Sequence, residues 1–279
     1  MNGSSLSQTS VSVIKPTTRW QPVDFQELKD YQDLFFFLVW RDIKVLYAQT
    51  IFGFAWAVFN PLIQIVVFTV IFGNVAKLST EGIPYFLFAT LGVIPWTYMS
   101  QAMTASSQSL VAGKNMLGKI YFPRLIFPLS SILSKLVDFV ISMGIVLCVL
   151  LYFHISPTWN LVYLPVFFIL MIIIPAGVGL WFSTMAIRFR DVRFGMQFLM
   201  SMLMYSAPIV YSSSAISDVY RFFYFLNPIV GVIEGFRACM LGLPIPWFYI
   251  WPGIIVAGIT FIGGAIYFKR TEYLLVDVI

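Results

Sequence analysis

Long, nearly uninterrupted apolar runs recur along the chain, near residues 54–73, 84–104, 126–153, 160–187, 194–212 and 251–268. Each approaches the roughly 20 apolar residues that an α-helix needs to cross a hydrocarbon core. Strands of a membrane barrel would read instead as short segments of alternating polarity. Backbone in lipid must satisfy its own hydrogen bonds, so the runs predict six transmembrane helices. The third and fourth are long enough to tilt or to project beyond the lipid. No internal repeat relates one run to another.

Upstream of the first run the pattern changes. Over residues 33–52, DLFFFLVWRDIKVLYAQTIF, a helical wheel puts Phe35, Phe36, Val39, Ile43, Leu46 and Tyr47 on one side. Asp33, Arg41 and Lys44 cluster on another, with Asp30 joining them. Two such faces predict an amphipathic helix lying in the membrane interface. Residues 1–30 are polar and lack the apolar stretch of a secretory signal. They read as a cytosolic tail ahead of a single transmembrane domain over 31–279, whose first span anchors the chain.

Residues 226–242, LNPIVGVIEGFRACMLG, are apolar yet hold Glu234 and Arg237 three positions apart. A charge at the centre of a spanning helix costs about 2.5–3.5 kcal/mol on insertion scales. Asn227-Pro228 breaks the helix at its start, and Pro244 and Pro246 break it before the last run. Gly231 and Gly235 would let a neighbouring helix approach closely. Together these features predict a re-entrant hairpin over 219–246 that dips into the outer leaflet and returns. The alternative is a helix lying on the surface without a functional role.

Composition agrees with membrane insertion. The chain is 59% hydrophobic and 10% charged, against about a quarter charged in a soluble domain. It is read as an all-α integral membrane protein. The net charge of +5 is spread over loops and does not form a nucleic-acid surface. Lys15, Arg19, Lys29, Arg41 and Lys44 precede the first span, and Lys114, Lys119 and Arg124 separate the second from the third. Arg188, Arg190 and Arg193 separate the fourth from the fifth, and Lys269 and Arg270 follow the last. The alternate loops hold Lys77, Arg221 and Arg237. The positive-inside rule then places both termini in the cytoplasm and demands an even number of crossings. A seventh crossing at 226–242 would carry Lys269 and Arg270 outside.

Reactive chemistry is sparse. AGKN at 112–115 has Gln108 and Asn115 where a phosphate-binding loop needs Gly and Ser or Thr. His154 is the one histidine and falls in a short outer loop. Cys148 and Cys239 read as small buried hydrophobes, with no disulfide or metal spacing. Lys135 and Asp138 can pair on one helix face within the third span, as a structural pair or, alternatively, as part of a proton relay. Met196, Met200, Met202 and Met204 read as core packing. Aromatic residues make up 18% of the chain. Trp159, Trp247, Trp251 and Tyr267 fit interfacial anchors. Trp56, Phe59, Trp96, Tyr98, Tyr205 and Tyr211 lie deeper, some near Asn60, and as a set could line a pore over which sugar rings slide.

Five ordered strings carry a resemblance: WRDIKVLYAQTIFGFAWAVFNPL at 40–62, GKIYFPRLIFPLSSILSKLVDF at 118–139, FRDVRF at 189–194, NPIVGVIEGFRACMLG at 227–242 and the final YFKRTEYLLVDVI. From about residue 25 onward the chain resembles the permease subunit of bacterial ABC exporters for polysaccharides, most of all the O-antigen type. The resemblance implies a homodimer in the bacterial inner membrane, joined by two copies of a separate cytosolic ATPase that uses ATP and Mg. The permease itself would bind no cofactor or metal and catalyse no reaction. The cargo would be a polysaccharide on an undecaprenyl-type lipid.

Roles implied by the resemblance fall on particular residues. Lys114, Lys119 and Arg124, with Arg188, Arg190, Asp191 and Arg193, would meet the ATPase. Arg41, Asp42 and Lys44 would receive the lipid-linked headgroup, or membrane phospholipid. Leu46 departs from the pattern, standing where the family's motif has a further basic residue. Asn227, Pro228, Glu234 and Arg237 would belong to a periplasmic gate. Two other readings stay open: a related permease for a small drug or lipid, and a membrane enzyme of glycan assembly, which would need catalytic carboxylates that the sequence does not offer.

Overall fold

The computed structural model describes residues 29–48, 52–117 and 122–272. The tail expected over 1–30 falls almost wholly outside them, as do Lys119, the end of the expected interface helix and the last residues of the sequence. Among the described residues the chain is helical, with no strand.

Helix α1 spans Gln32–Tyr47 and lies along α5 (Ile126–Tyr152). It is shorter than the expected 33–52 because Ala48 turns extended, at φ −64° and ψ 137°. Leu38 is its fully buried centre, with Leu34 and Phe35 beside it, while Phe36, Phe37 and Trp40 face outward. Helix α2, Ala55–Phe68, runs on through a π-helical turn at Thr69–Val75.

Helix α3, Tyr85–Ala112, is the central strut and packs against α2 and α5, and against α6 (Leu164–Arg188), α7 (Asp191–Tyr205) and α9 (Pro228–Leu241). Its stretch from Leu87 through Trp96 is buried throughout. A turn at Gly113 leads into the short α4, Lys114–Leu117. Helices α8 (Asp218–Tyr224) and α9 meet at a bend of 104°, and α10 (Trp247–Thr271) closes the bundle against α6.

Four of these segments are long and apolar enough to cross a membrane: Ala55–Val75, Ile126–Tyr152, Trp159–Arg188 and Trp247–Thr271. The bent pair α8–α9 would make a fifth if counted as one span. The expected second run forms a helix of 28 residues, but its latter half is rich in Ser, Thr and Gln. The expected fifth run, 194–212, yields a helix of only 15 residues. It stops at Tyr205 because Pro208 supplies no N–H and restricts the residue before it.

The hairpin's second arm begins as its sequence dictates. Asn227 caps α9, its side chain accepting from the Ile229 N–H at 3.2 Å, and Pro228 takes the first helical position. Gly235 presents bare backbone to the Phe167 ring, which occupies the space a Cβ would take. Cys239 is buried as expected, whereas Cys148 is exposed on α5. Of the methionines named above, Met196 lies in the core and Met202 is exposed.

Candidate functional site

Three polar assemblies interrupt the apolar bundle. The first holds the hairpin to α3. Arg237, on α9, is 2% exposed, and its guanidinium donates to Glu234 at 3.1 Å and to the Pro208 carbonyl at 2.8 Å. It also lies 3.6 Å above the Phe88 ring, a cation–π contact strengthened by burial. Gly92 makes the approach possible, since a Cβ there would meet the Ile209 carbonyl oxygen at 3.0 Å and an Arg237 nitrogen at 3.1 Å.

The loop after α7 is tied down around this charge. Tyr85 donates to the Val210 carbonyl at 2.6 Å, and Ser212 donates to Glu81 at 2.7 Å. Hydrogen bonds from Ser214 and Ser212 hold the Glu81 carboxyl below the usual carboxylate range. Asn227 reaches Ser206 at 3.3 Å. Glu234 and Arg237 are thus brought together, with Asn227 and Pro228 at the base of the same helix. Phe88, Pro208, Tyr85 and Glu81 complete the clamp and were not singled out from the sequence.

The second assembly is a cleft of about 190 Å³ among α2, α3 and α5, lined by Asn60, Thr97, Gln101, Lys135 and Asp138 among others. Lys135 and Asp138 pair at 3.7 Å, and the Tyr47 hydroxyl donates to Asp138. Nearby, Arg41 pairs with Asp42 at 2.7 Å and Asp42 accepts from Ser131 at 3.5 Å. Lys44 is exposed. Arg41 is therefore already charge-compensated by its neighbour, and Lys44 is the freer cation of the three expected headgroup residues.

The six aromatics expected to line a pore divide. Trp96 and Tyr98 are 4% and 2% exposed and pack inside the helical bundle. Trp56, Phe59 and Tyr205 are exposed, while Tyr211 is half-buried and donates to the Tyr205 carbonyl at 3.1 Å.

The third assembly lies at the end carrying the basic loops. Lys114 from the α3–α4 corner and Arg190 and Arg193 from the α6–α7 corner line one cleft of about 540 Å³, with Gln108 in its wall. Arg188 and Asp191 stand exposed beside it. Asp191 begins α7, where a negative charge suits the helix dipole. Arg124 is engaged elsewhere. It donates to the Glu272 carbonyl at 2.8 Å, and Lys269 pairs with the Glu272 carboxylate at 2.9 Å. This residue ties the start of α5 to the end of α10.

Comparison with known proteins adds to this geometry. Residues 33–241 match the family model described as ABC-2 type transporter. An O-antigen export system permease protein, RfbA, of Klebsiella pneumoniae is 25% identical over 248 residues, covering 88% of this chain and 95% of the relative. An RfbA of Myxococcus xanthus is 26% identical over 215 residues, covering 76% and 82%. A polysialic acid transport protein, KpsM, of Escherichia coli is 24% identical over 255 residues, covering 84% and 92%.

Proposed function

The chain belongs to the ABC-2 type transporter family, and we propose that it is the permease of an ATP-driven exporter moving O-antigen-type polysaccharide, on an undecaprenyl-type lipid, across the bacterial inner membrane. The observation that carries this reading is the convergence of Lys114, Arg190 and Arg193, from two separate corners, on one cleft. A cationic surface assembled from two loops suits a docking face for another protein, because exposed charges steer association and set register.

In this reading the basic end is cytosolic and two ATPase subunits, using ATP and Mg, bind there. Lys114, Lys119, Arg190, Asp191 and Arg193 meet them, with Arg188 alongside, while Arg124 ties α5 to α10 next to that face. Two copies of the chain enclose the path. Helices α2, α3, α5, α6, α7 with its following turns, and α10 make six crossings, and α8–α9 is the re-entrant hairpin on the outer side. Both termini are cytoplasmic. Glu234 and Arg237 brace the outer gate, with Asn227 and Pro228 at its hinge. Helix α1 lies in the interface, where Arg41, Asp42 and Lys44 face lipid headgroups. The names of the similar permeases support the choice of cargo.

Deletion of the gene in its host tests the reading. Lipid-linked glycan is expected to accumulate inside the cell while surface glycan is lost, with rescue requiring an intact ATPase. Normal surface glycan without accumulation would point to a permease for a small molecule instead.

A further inference from the structure

Helix α3 carries a stripe that its packing does not explain. Thr97, Gln101, Thr104 and Gln108 follow one another by four, three and four residues, which places them on one helix face. All four are half-buried, while Tyr98, Met99, Ala102, Met103, Ser106 and Ser107 on the other faces are buried in the protomer. The stripe is about 16 Å long at the helical rise of 1.5 Å per residue. Its two ends open on the two clefts already described. Thr97 and Gln101 line the cleft with Lys135 and Asp138, and Gln108 lines the cationic cleft.

Polar side chains at membrane depth are costly unless something satisfies them. Thr104 spends its proton on the Ser100 carbonyl at 2.8 Å, leaving its oxygen to accept. The Thr97 hydroxyl has no hydrogen-bond partner among the described residues, and neither does that of Tyr98, which is buried and forms part of the cleft wall. Beside them Trp56, 44% exposed, lines the same cleft.

From this arrangement, and resting on the export reading above, we infer that the stripe Thr97–Gln101–Thr104–Gln108 is the track along which hydroxyl groups of an uncharged sugar chain pass, with the Lys135–Asp138 cleft as its deep end. Amides and hydroxyls exchange hydrogen bonds with successive sugar hydroxyls at little cost, since each can donate or accept. The track itself is neutral, and Lys135 and Asp138 offset one another at 3.7 Å. Residues 97–108 of α3 carry no charge, so this helix offers no cation to a chain bearing a carboxylate or phosphate on each repeat, and desolvating such an anion is expensive.

The test uses inside-out membrane vesicles containing the permease and its ATPase, and follows ATP-driven transfer of lipid-linked glycan extracted from the host. Cysteine is introduced at Gln101 or Thr104 in a Cys148→Ser background, Cys239 being buried. The charged reagent methanethiosulfonate ethyltrimethylammonium is added after folding and assembly. The transfer rate of Gln101→Cys and of Thr104→Cys, each compared with itself before and after the reagent, is expected to fall at least ~10-fold on modification (~1.4 kcal/mol per tenfold). Ile262→Cys, on the exposed side of α10, is expected to keep its rate.

Absence of modification at both stripe positions, read by mass spectrometry, would overturn the inference. So would modification without loss of transfer. A transferred glycan with an acid on each repeat would overturn the assignment to an uncharged chain. Wild-type vesicles that hydrolyse ATP but transfer no glycan would overturn the export reading itself, and the track with it.

Discussion

Arg237 keeps a full charge almost out of contact with water, and three unlike groups compensate it: the Glu234 carboxylate, the Pro208 carbonyl and the Phe88 ring. Breaking a buried pair by removing one partner costs about 3–5 kcal/mol, whereas replacing both by apolar groups of similar shape is often neutral. Arg237→Met is therefore expected to destabilise the protein by about that amount in detergent unfolding. Pairing it with Glu234→Leu should recover part of the loss. No recovery in the double variant would assign the cost to the Pro208 carbonyl and the loop it holds. Glu234 and Arg237 were legible as a pair because three residues separate neighbours on one helix face. Phe88, Pro208 and Glu81 were not, because nothing local in the sequence relates α3 or the loop after α7 to α9.

Close packing decides what each helix tolerates. On α9, Gly235 faces the Phe167 ring, whereas on α5 a Cβ added at Gly144 would meet nothing within 4 Å. Gly235→Ala is expected to destabilise by about 1–3 kcal/mol, since overpacking forces neighbours to shift. Gly144→Ala should instead stabilise by about 0.5–1 kcal/mol, through the lower backbone entropy of the unfolded chain. Thermal unfolding of both variants in one detergent checks the opposite signs. The sequence marked Gly235, four residues from Gly231, as a point of close approach, but did not identify the Phe167 ring that meets it. Apolar runs likewise marked the existence of helices better than their ends: α7 stops where Pro208 intervenes, and α1 stops at Tyr47, where Ala48 turns extended.

Across the whole molecule, polar groups are distributed along the length of the bundle. The Arg237 clamp holds one end, the Lys135–Asp138 cleft lies deep in the bundle, and Lys114, Arg190 and Arg193 surround the cleft at the other end. Lys114→Glu combined with Arg190→Glu is expected to reduce recovery of the ATPase in co-purification at least tenfold, roughly 1.4 kcal/mol or more of association free energy. Raising salt should weaken the wild-type complex in the same direction, because exposed charges are screened. Unchanged recovery would remove the docking role from this cleft. Arg124 is predicted to matter for the α5–α10 tether instead of direct docking, given its bond to the Glu272 carbonyl.

Hydrophobic run length, the scarcity of charge and the placement of Lys and Arg were enough to read a helical membrane protein with a bent, charge-bearing segment before its last helix. Those are one-dimensional properties, set by the cost of exposing backbone and charge to lipid. Which aromatic faces outward, which cation already has a partner and which polar residues share a half-buried stripe depend on helix rotation and packing. Trp96 and Trp56 look alike as letters, yet one is enclosed by the bundle and the other lies exposed on a cleft. That difference arises from close packing among segments distant in sequence, where each side chain's surroundings are supplied by other helices.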